Sequence, residues 1–191
     1  MLTLFDATPG ATPTTPLVTF QQGKRVFDVE FTLDGEQVVS AGENGVWMWN
    51  RTTAEGKWLR ELGPEEPKTS TSFRVALHPN GQLAATATMG AERVLVCDLS
   101  TGDRVDQSQQ ATILQPSGVA YSADGRWLYT SGARILRWDA RTSLSSQVPV
   151  EIVSQGEPYS VRTSLCGRYL AAATKTNVTL FDTTRLDAAT E

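Results

Sequence analysis

The feature that most constrains this chain is a segment that recurs four times along its 191 residues. Each copy has a valine six residues before a glycine, and the glycines lie 46, 44 and 42 residues apart. The four glycines are Gly35, Gly81, Gly125 and Gly167. The first three turns read Asp-Gly, Asn-Gly and Asp-Gly, the strongest short-range signal for a β-hairpin. A repeat of this period indicates one architecture built from equivalent units.

Each copy continues with further strand patterns. A second strand is predicted after each glycine, at residues 37–41, 83–87, 127–131 and 169–173. A third strand, ending in a bulky residue and Asp or Asn, is predicted at 46–50, 94–98, 135–139 and 178–182, and a fifth copy at 2–6. Weaker fourth strands are predicted at 17–20, 57–62, 104–106 and 148–153. The pattern predicts an all-β chain, because four short strands per unit at this period are typical of a β-propeller blade.

These motifs resemble those of the WD-repeat β-propeller family. Its blade reads roughly V-x-x-V-A-F-S-P-D-G, then L-L-A-S-G-S, then G-T-V-R-L-W-D. Residues 26–35 and 119–125 are similar to the first part, and residues 134–139 to the last. The resemblance implies four-stranded antiparallel blades around a channel. No Gly-His pair precedes a first strand, so we expect the family's hydrogen-bond chain from histidine to tryptophan to be absent and apolar packing to hold the blades.

The repeat divides the chain into about four and a half blades. Residues 1–22 are predicted as the third and fourth strands of an incomplete blade. The predicted blades are 23–63, 70–108, 115–154 and, without a fourth strand, 157–183, followed by a polar tail at 184–191. A propeller protects its edges by closing radially. Three interpretations stay open: a piece of a longer propeller, a half-ring that pairs with a second copy, or an open or small closed form. Open edges predict self-association in the first two.

Composition narrows the class of function. The net charge of −4 and the pI near 5.1 argue against a nucleic-acid surface. Apolar runs fall far short of the roughly 18 residues of a membrane helix. No signal peptide pattern is visible, so we expect a cytoplasmic protein. The two cysteines, Cys97 and Cys166, are expected to be free and buried. A single histidine, His78, leaves little for zinc binding or acid–base catalysis.

The resemblance implies that partners bind at the loop face and the channel entrance. The residues eight before the four glycines are Phe27, Phe73, Ser117 and Tyr159. The residues ten before them are Arg25, Thr71, Gln115 and Glu157. Arginine and aromatic residues dominate interface hot spots, so the predicted partner-binding residues are Arg25, Phe27, Phe73 and Tyr159. The alternative is that the aromatic residues seal the channel between blades. Asp98, Asp139 and Asp182 end third strands of different blades and are expected to cap turns.

We therefore expect a non-catalytic scaffold that binds proteins or peptides, with no catalytic residue, cofactor or metal. One alternative is a propeller enzyme, such as a lactonase or another hydrolase, with a site in the channel. Such a site would draw its groups from several blades, and Asp28 and Arg74 are the only charged residues seven before a glycine. The other alternative is a sensor or accessory domain of a larger protein that contains a kinase or protease.

Overall fold

A computed structural model describes residues 1–9, 16–43, 45–59, 71–90, 92–109, 115–152 and 156–188, without the side chains of 71–73 and 187–188. The strands within these ranges form five antiparallel sheets. Four of the sheets are arranged as a four-bladed β-propeller, so the predicted all-β propeller fold is confirmed. Within the same ranges, no helix has the length and apolar character needed to cross a membrane.

The strands follow one another in blade order. An N-terminal ribbon pairs β1 (Leu2–Leu4) with β2 (Val18–Phe20). Blade 1 contains β3 (Val26–Phe31), β4 (Gln37–Gly42), β5 (Gly45–Asn50) and β6 (Gly56–Trp58). Blade 2 contains β7 (Thr71–Leu77), β8 (Leu83–Met89), β9 (Arg93–Asp98) and β10 (Arg104–Gln107). Blade 3 contains β11 (Gly118–Tyr121), β12 (Trp127–Ser131), β13 (Ile135–Asp139) and β14 (Val150–Ile152). Blade 4 contains β15 (Ser160–Thr163), β16 (Tyr169–Ala173) and β17 (Val178–Asp182), and helix α1 (Thr183–Ala188) follows.

The turn between the first and second strand of each blade follows the predicted pattern. Its glycine has a φ of +70° to +75° in all four blades, a conformation that strains other residues. In blade 3, Asp124 Oδ1 accepts hydrogen bonds from the Ser122 hydroxyl at 2.5 Å and from Arg126 N at 3.0 Å. The bond from Ser122 holds the pKa of Asp124 below its usual range. The Asp-Gly signal thus reflects a side chain that closes the turn and a backbone that reverses it.

One face of each blade packs through the valine six residues before the glycine. Val75, Val119 and Val161 are each 0% exposed, in the clusters between blades 1 and 2, 2 and 3, and 3 and 4. The equivalent Val29 of blade 1 is 41% exposed. Full burial of a valine contributes about 1.5–3 kcal/mol. Most of the core of the described residues therefore lies in three repeated blade interfaces, and a fourth cluster of Phe20, Val38 and Trp49 packs the N-terminal ribbon on blade 1.

The other face of each blade packs through the third strand. Val46, Val94 and Ile135 hold equivalent positions there, are each 0% exposed and face the next blade. The equivalent Val178 of blade 4 is 76% exposed. The inner strands β3, β7, β11 and β15 pack on one another in that order and line the axis of the propeller.

A buried hydrogen-bond chain ends on tryptophan in blade 1, with a glutamine in place of the histidine of the family's chain. In blade 1, Trp49 Nε1 donates to Ser40 Oγ at 2.9 Å, and Ser40 Oγ donates to Gln22 Oε1 at 2.7 Å. Gln22 Nε2 in turn donates to the Gly45 carbonyl at 3.4 Å. An amide group both accepts and donates, so Gln22 completes the chain without a histidine.

The other blade with a tryptophan at this position also has a hydroxyl partner for it. In blade 3, Trp138 Nε1 donates to Thr130 Oγ1 at 3.1 Å. Blade 4 has Phe181 at the tryptophan position and Ala172 at the hydroxyl position, and neither side chain needs a polar partner. Blade 2 keeps a hydroxyl, Thr86, although Cys97 replaces its tryptophan, and Thr86 Oγ1 donates to Arg74 O at 2.8 Å instead.

The two cysteines differ. Cys97 is buried in place of tryptophan in blade 2, as predicted, but the expectation of a buried Cys166 is wrong because that residue is exposed. Cys166 directly precedes Gly167 in the turn, where Asp124 stands in blade 3, and its thiol lies 3.3 Å from Ser164 Oγ. The sequence at 184–191, expected only as a polar tail, contributes to α1, whose Leu186 packs against the cluster between blades 3 and 4.

We predict that Ser40→Ala lowers the free energy of unfolding by about 1–3 kcal/mol, because it leaves the Trp49 indole N–H buried without its acceptor. The matched control is Ser131→Ala. Ser131 is 0% exposed and its hydroxyl has no hydrogen-bond partner among the described residues, so its removal should cost less than about 0.5 kcal/mol. Urea unfolding followed by circular dichroism measures both. Equal losses of unfolding free energy in the two variants would contradict the stabilising role assigned to the hydrogen-bond chain.

Candidate interaction site at the channel mouth

At one mouth of the channel, loops that enter the inner strands enclose a cavity of about 300 Å³. Its lining comes from blades 2, 3 and 4: Arg74, Met89, Gln115, Ser117, Gly132, Glu157, Pro158 and Tyr159. The backbone fixes two of the loops. Ser117 N donates to Ser131 O at 2.9 Å, and Tyr159 N donates to Ala173 O at 3.0 Å. The cavity is therefore held by the ends of strands.

The repeat register predicted four of these lining residues. Ser117 and Tyr159 are the residues eight before their glycines, and Gln115 and Glu157 are ten before theirs. The structure thus brings the predicted Tyr159 to the mouth, with 39% of the residue exposed. Ser117 Oγ donates to Pro158 O at 3.4 Å and links the entrance loops of blades 3 and 4.

The structure places Arg25 and Phe27 elsewhere. The Arg25 side chain is largely exposed, and its Nε donates to Glu43 Oε1 at 2.7 Å in an ion pair of blade 1. Phe27 is half-buried, and its carbonyl accepts a hydrogen bond from Arg74 Nη1 at 3.1 Å. Neither residue lines the cavity. The Phe73 side chain lies outside the described residues.

Phe27 and Phe73 share one backbone feature. The pairing of β3 with β4 shifts register between Val26 and Asp28, and that of β7 with β8 shifts between Ser72 and Arg74. The phenylalanine is thus the extra residue of a bulge in both blades. Bulges re-aim the side chains next to them, and in blade 2 the residue after the bulge is Arg74.

Sequence reasoning did not select Arg74 or Met89 as site residues. Arg74 had been noted only as a charge near the channel, and Met89 lies two residues beyond the predicted end of the second strand of blade 2. Met89 is 44% exposed. Met89 was missed because β8 is two residues longer than predicted. Each added residue extends a strand by about 3.3 Å, which brings Met89 to the mouth.

Charged side chains from blades 1 and 4 meet near the axis. Asp28 Oδ2 accepts a hydrogen bond from Val75 N at 3.1 Å and lies 3.5 Å from Arg162 Nη2. Glu30 Oε2 accepts one from Leu77 N at 2.9 Å. The two carboxylates therefore fasten blade 1 to the inner strand of blade 2. Strand alternation could have identified Glu30, because Asp28 and Glu30 are two residues apart in β3 and therefore lie on the same face.

Near the axis, the Glu30 carboxyl has a shifted pKa. Burial raises its pKa, the hydrogen bond from Leu77 opposes that effect, and the nearby Asp28 charge adds to the increase. Together with Arg162, Glu30 lines a second cavity of about 360 Å³ that also touches Leu33 and Leu165. This arrangement can bind polar groups, but both of its charged side chains already hold backbone or ionic partners.

The three aspartates at the ends of third strands cap turns, as predicted. Asp98 Oδ1 accepts hydrogen bonds from Ser100 N at 2.7 Å and from Thr101 N at 3.1 Å. Asp139 binds the Arg141 guanidinium, whose hydrogen bond lowers the pKa of Asp139 to about 2. Asp182 Oδ1 accepts a hydrogen bond from Thr184 N at 3.1 Å.

Two comparisons with known proteins found no match for this chain. No protein-family model matches it, and no curated protein matches it. The propeller architecture rests on the structure, and the WD-repeat family stays a resemblance of motifs.

We predict that Glu30→Gln makes the protein more stable than the wild type at pH 8 and that the gain disappears near pH 4. Because the folded pKa is raised, the ionised carboxyl costs stability above that pKa. The folded state regains this stability as the pH falls through the raised pKa toward 4.5, the ordinary pKa of a glutamate carboxyl. The Gln side-chain oxygen still accepts the Leu77 hydrogen bond.

Urea unfolding at several pH values measures this effect. Glu36→Gln is the matched control, since it removes the same charge from an exposed ion pair with Arg51. If the gain in unfolding free energy of Glu30→Gln over the wild type grew as the pH fell, it would contradict a raised pKa for Glu30.

Proposed function

We propose that this protein is a non-catalytic interaction scaffold of the WD-repeat type and that it binds a protein or peptide at the channel mouth. The observation that carries the proposal is the cavity in which Tyr159, Met89 and Arg74 converge. Tyrosine, methionine and arginine are enriched in the cores of interfaces and at hot spots. The proposed partners include neither nucleic acid nor membrane, and the proposed compartment is the cytoplasm.

The size of the cavity indicates how a partner binds. About 300 Å³ is at the lower end of the range for ligand pockets, so it admits one large side chain of a partner. Tyr159 and Met89 supply apolar contact, and Gln115 and Ser117 supply hydrogen-bonding groups. Arg74 and Glu157 place both signs of charge at the mouth. We propose that an extended segment inserts one anchor residue here.

Arg25 and Phe27 stay in the proposal as an outer part of the same surface, and Phe73 stays in it as a contact predicted from the sequence. Arg25 is held by Glu43, which keeps its guanidinium in place without burying it. The WD-repeat assignment is supported by the repeated motifs and by the link from tryptophan to Ser40 or Thr130.

We predict that the double variant Tyr159→Ala/Met89→Ala loses partner binding at least tenfold. Truncation of one hot-spot residue costs about 2 kcal/mol or more, and both residues are partly exposed, so the core stays intact. Quantitative recovery of partners from a native lysate on immobilised protein gives the first readout, and titration of the recovered partner gives the affinity. Val105→Ala/Val148→Ala is the matched control, with both valines exposed away from the mouth.

Equal recovery by the mouth variant and the wild type would overturn the site. Arg25→Ala tests the outer surface separately, and unchanged affinity for it would restrict the site to the cavity. Turnover of any substrate in a panel of lactones and esters would overturn the non-catalytic role.

A further inference from the structure

The inner strands begin at the mouth that Tyr159 lines and end at a second mouth, which the glycine turns of the blades surround. The residue two before each turn glycine stands at this second mouth and is apolar in all four blades: Leu33, Pro79, Ala123 and Leu165. Leu33 is 72% exposed, and Leu165 is fully exposed. Apolar side chains that are exposed together around a cavity indicate an interaction surface.

The cavity of about 360 Å³ at this mouth has an apolar floor. The floor consists of inner-strand residues that are each at most 5% exposed: Ala76, Val119 and Ala120. Glu30 and Arg162 also line it, but they hold the backbone and ionic partners described above. The Thr163 hydroxyl donates to Tyr121 O at 2.6 Å and fixes the wall between blades 3 and 4. A preformed cavity of this kind can receive an apolar side chain at low entropic cost.

Two further cavities continue this one across the turns. One of about 500 Å³ is lined by blades 1 and 2 and shares Leu33 with the central cavity. The other, of about 560 Å³, is lined by blades 3 and 4 and shares Ser122 and Ala123 with it. We call the three linked cavities the turn-face trough. Linked cavities in a row can receive successive side chains of an extended segment.

The end of the trough between blades 3 and 4 carries two arginines, Arg126 and Arg168. Arg126 Cζ lies 4.5 Å from the centre of the Trp127 ring, and Arg168 Cζ lies 5.3 Å from the centre of the Tyr169 ring. The rings hold the guanidiniums in place, and both arginines stay exposed. Two positioned guanidiniums at one end of a trough suit an anionic group.

The carboxylates nearby leave donors of this end available. Asp124 Oδ1 already accepts two hydrogen bonds within its own turn. Asp182 Oδ2 lies 3.3 Å from Arg168 Nη2, whereas the Arg126 side chain makes no hydrogen bond or ion pair with the described residues. The opposite end of the trough carries Asp34. An acidic side chain of a partner is therefore attracted to the arginine end and repelled from the other.

We propose that the turn-face trough binds an extended peptide segment of a partner protein, with an apolar residue in the central cavity and an aspartate or glutamate on Arg126 and Arg168. A carboxylate suits this end because a guanidinium can bind it through two parallel hydrogen bonds. The repulsion from Asp34 sets the direction of the segment. The site lies at the mouth opposite the one in the proposed function and does not depend on it.

Selection of random peptides displayed on phage, with the immobilised protein as target, tests the site. We expect peptides that combine an apolar residue with Asp or Glu and that bind Leu165→Asp about tenfold more weakly or worse. Arg126→Ala/Arg168→Ala is expected to weaken the same peptides about tenfold. The matched control is Val148→Asp, which places the same charge at a valine that is 93% exposed outside the trough and should bind like the wild type. Circular dichroism checks that each variant is folded.

A charge reversal tests the predicted chemistry of the partner. Selection against Arg126→Glu/Arg168→Glu is expected to enrich Lys or Arg where the wild type enriches Asp or Glu. Arg134→Glu is the control, because it reverses an exposed arginine of a pair with Glu151 outside the trough. It should leave the selected sequences unchanged.

The variant Tyr159→Ala/Met89→Ala separates this site from the channel mouth of the proposed function. Peptides of the trough are expected to bind that variant as tightly as the wild type. The proposal would be overturned by a selection without any peptide sensitive to Leu165→Asp, by trough peptides without an acidic residue, or by the same acidic sequences after charge reversal.

Discussion

The packing of one blade on the next is the interaction on which this structure depends. Each blade has two apolar faces, and a single four-stranded sheet cannot bury both. The valine before each turn glycine covers one side and the third strand covers the other. Val75, Val119 and Val161 are therefore fully buried, whereas Val29, at the end of the series, is not. Each blade derives its stability from its neighbours, as in other repeat proteins.

Polar groups add directionality to this packing. Asp28 and Glu30 accept hydrogen bonds from the backbone of β7, so blade 1 is fixed to blade 2 in one register. Inside blades 1 and 3, the links from tryptophan to Ser40 and Thr130 hold the third strand against the second. A rigid frame of this kind suits an interaction site, because loops at its strand ends are positioned before a partner arrives.

The sequence predicted most of the fold but only part of the site. The second strands at 127–131 and 169–173 were predicted to the residue, because glycine turns and alternation are local signals. The position of Tyr159 at the mouth was predicted correctly, because equivalent positions of the repeat lie at equivalent places in each blade. Arg25 did not join the cavity, since its pairing with Glu43 across a loop has no local signature. Gln22 was missed because the resembled family has a histidine in the hydrogen-bond chain to tryptophan. The Gln22 amide both accepts and donates, so it completes that chain here.

Amide hydrogen exchange at a concentration where the chain is monomeric tests the central claim, that blade packing stabilises this protein. β11 lies inside the series, with Val119 fully buried, and β17 lies at its open end, with Val178 exposed. The account predicts that amides of β11 exchange at least about tenfold more slowly than those of β17. Equal protection of the two strands would contradict it, because each blade would then be stable without its neighbours.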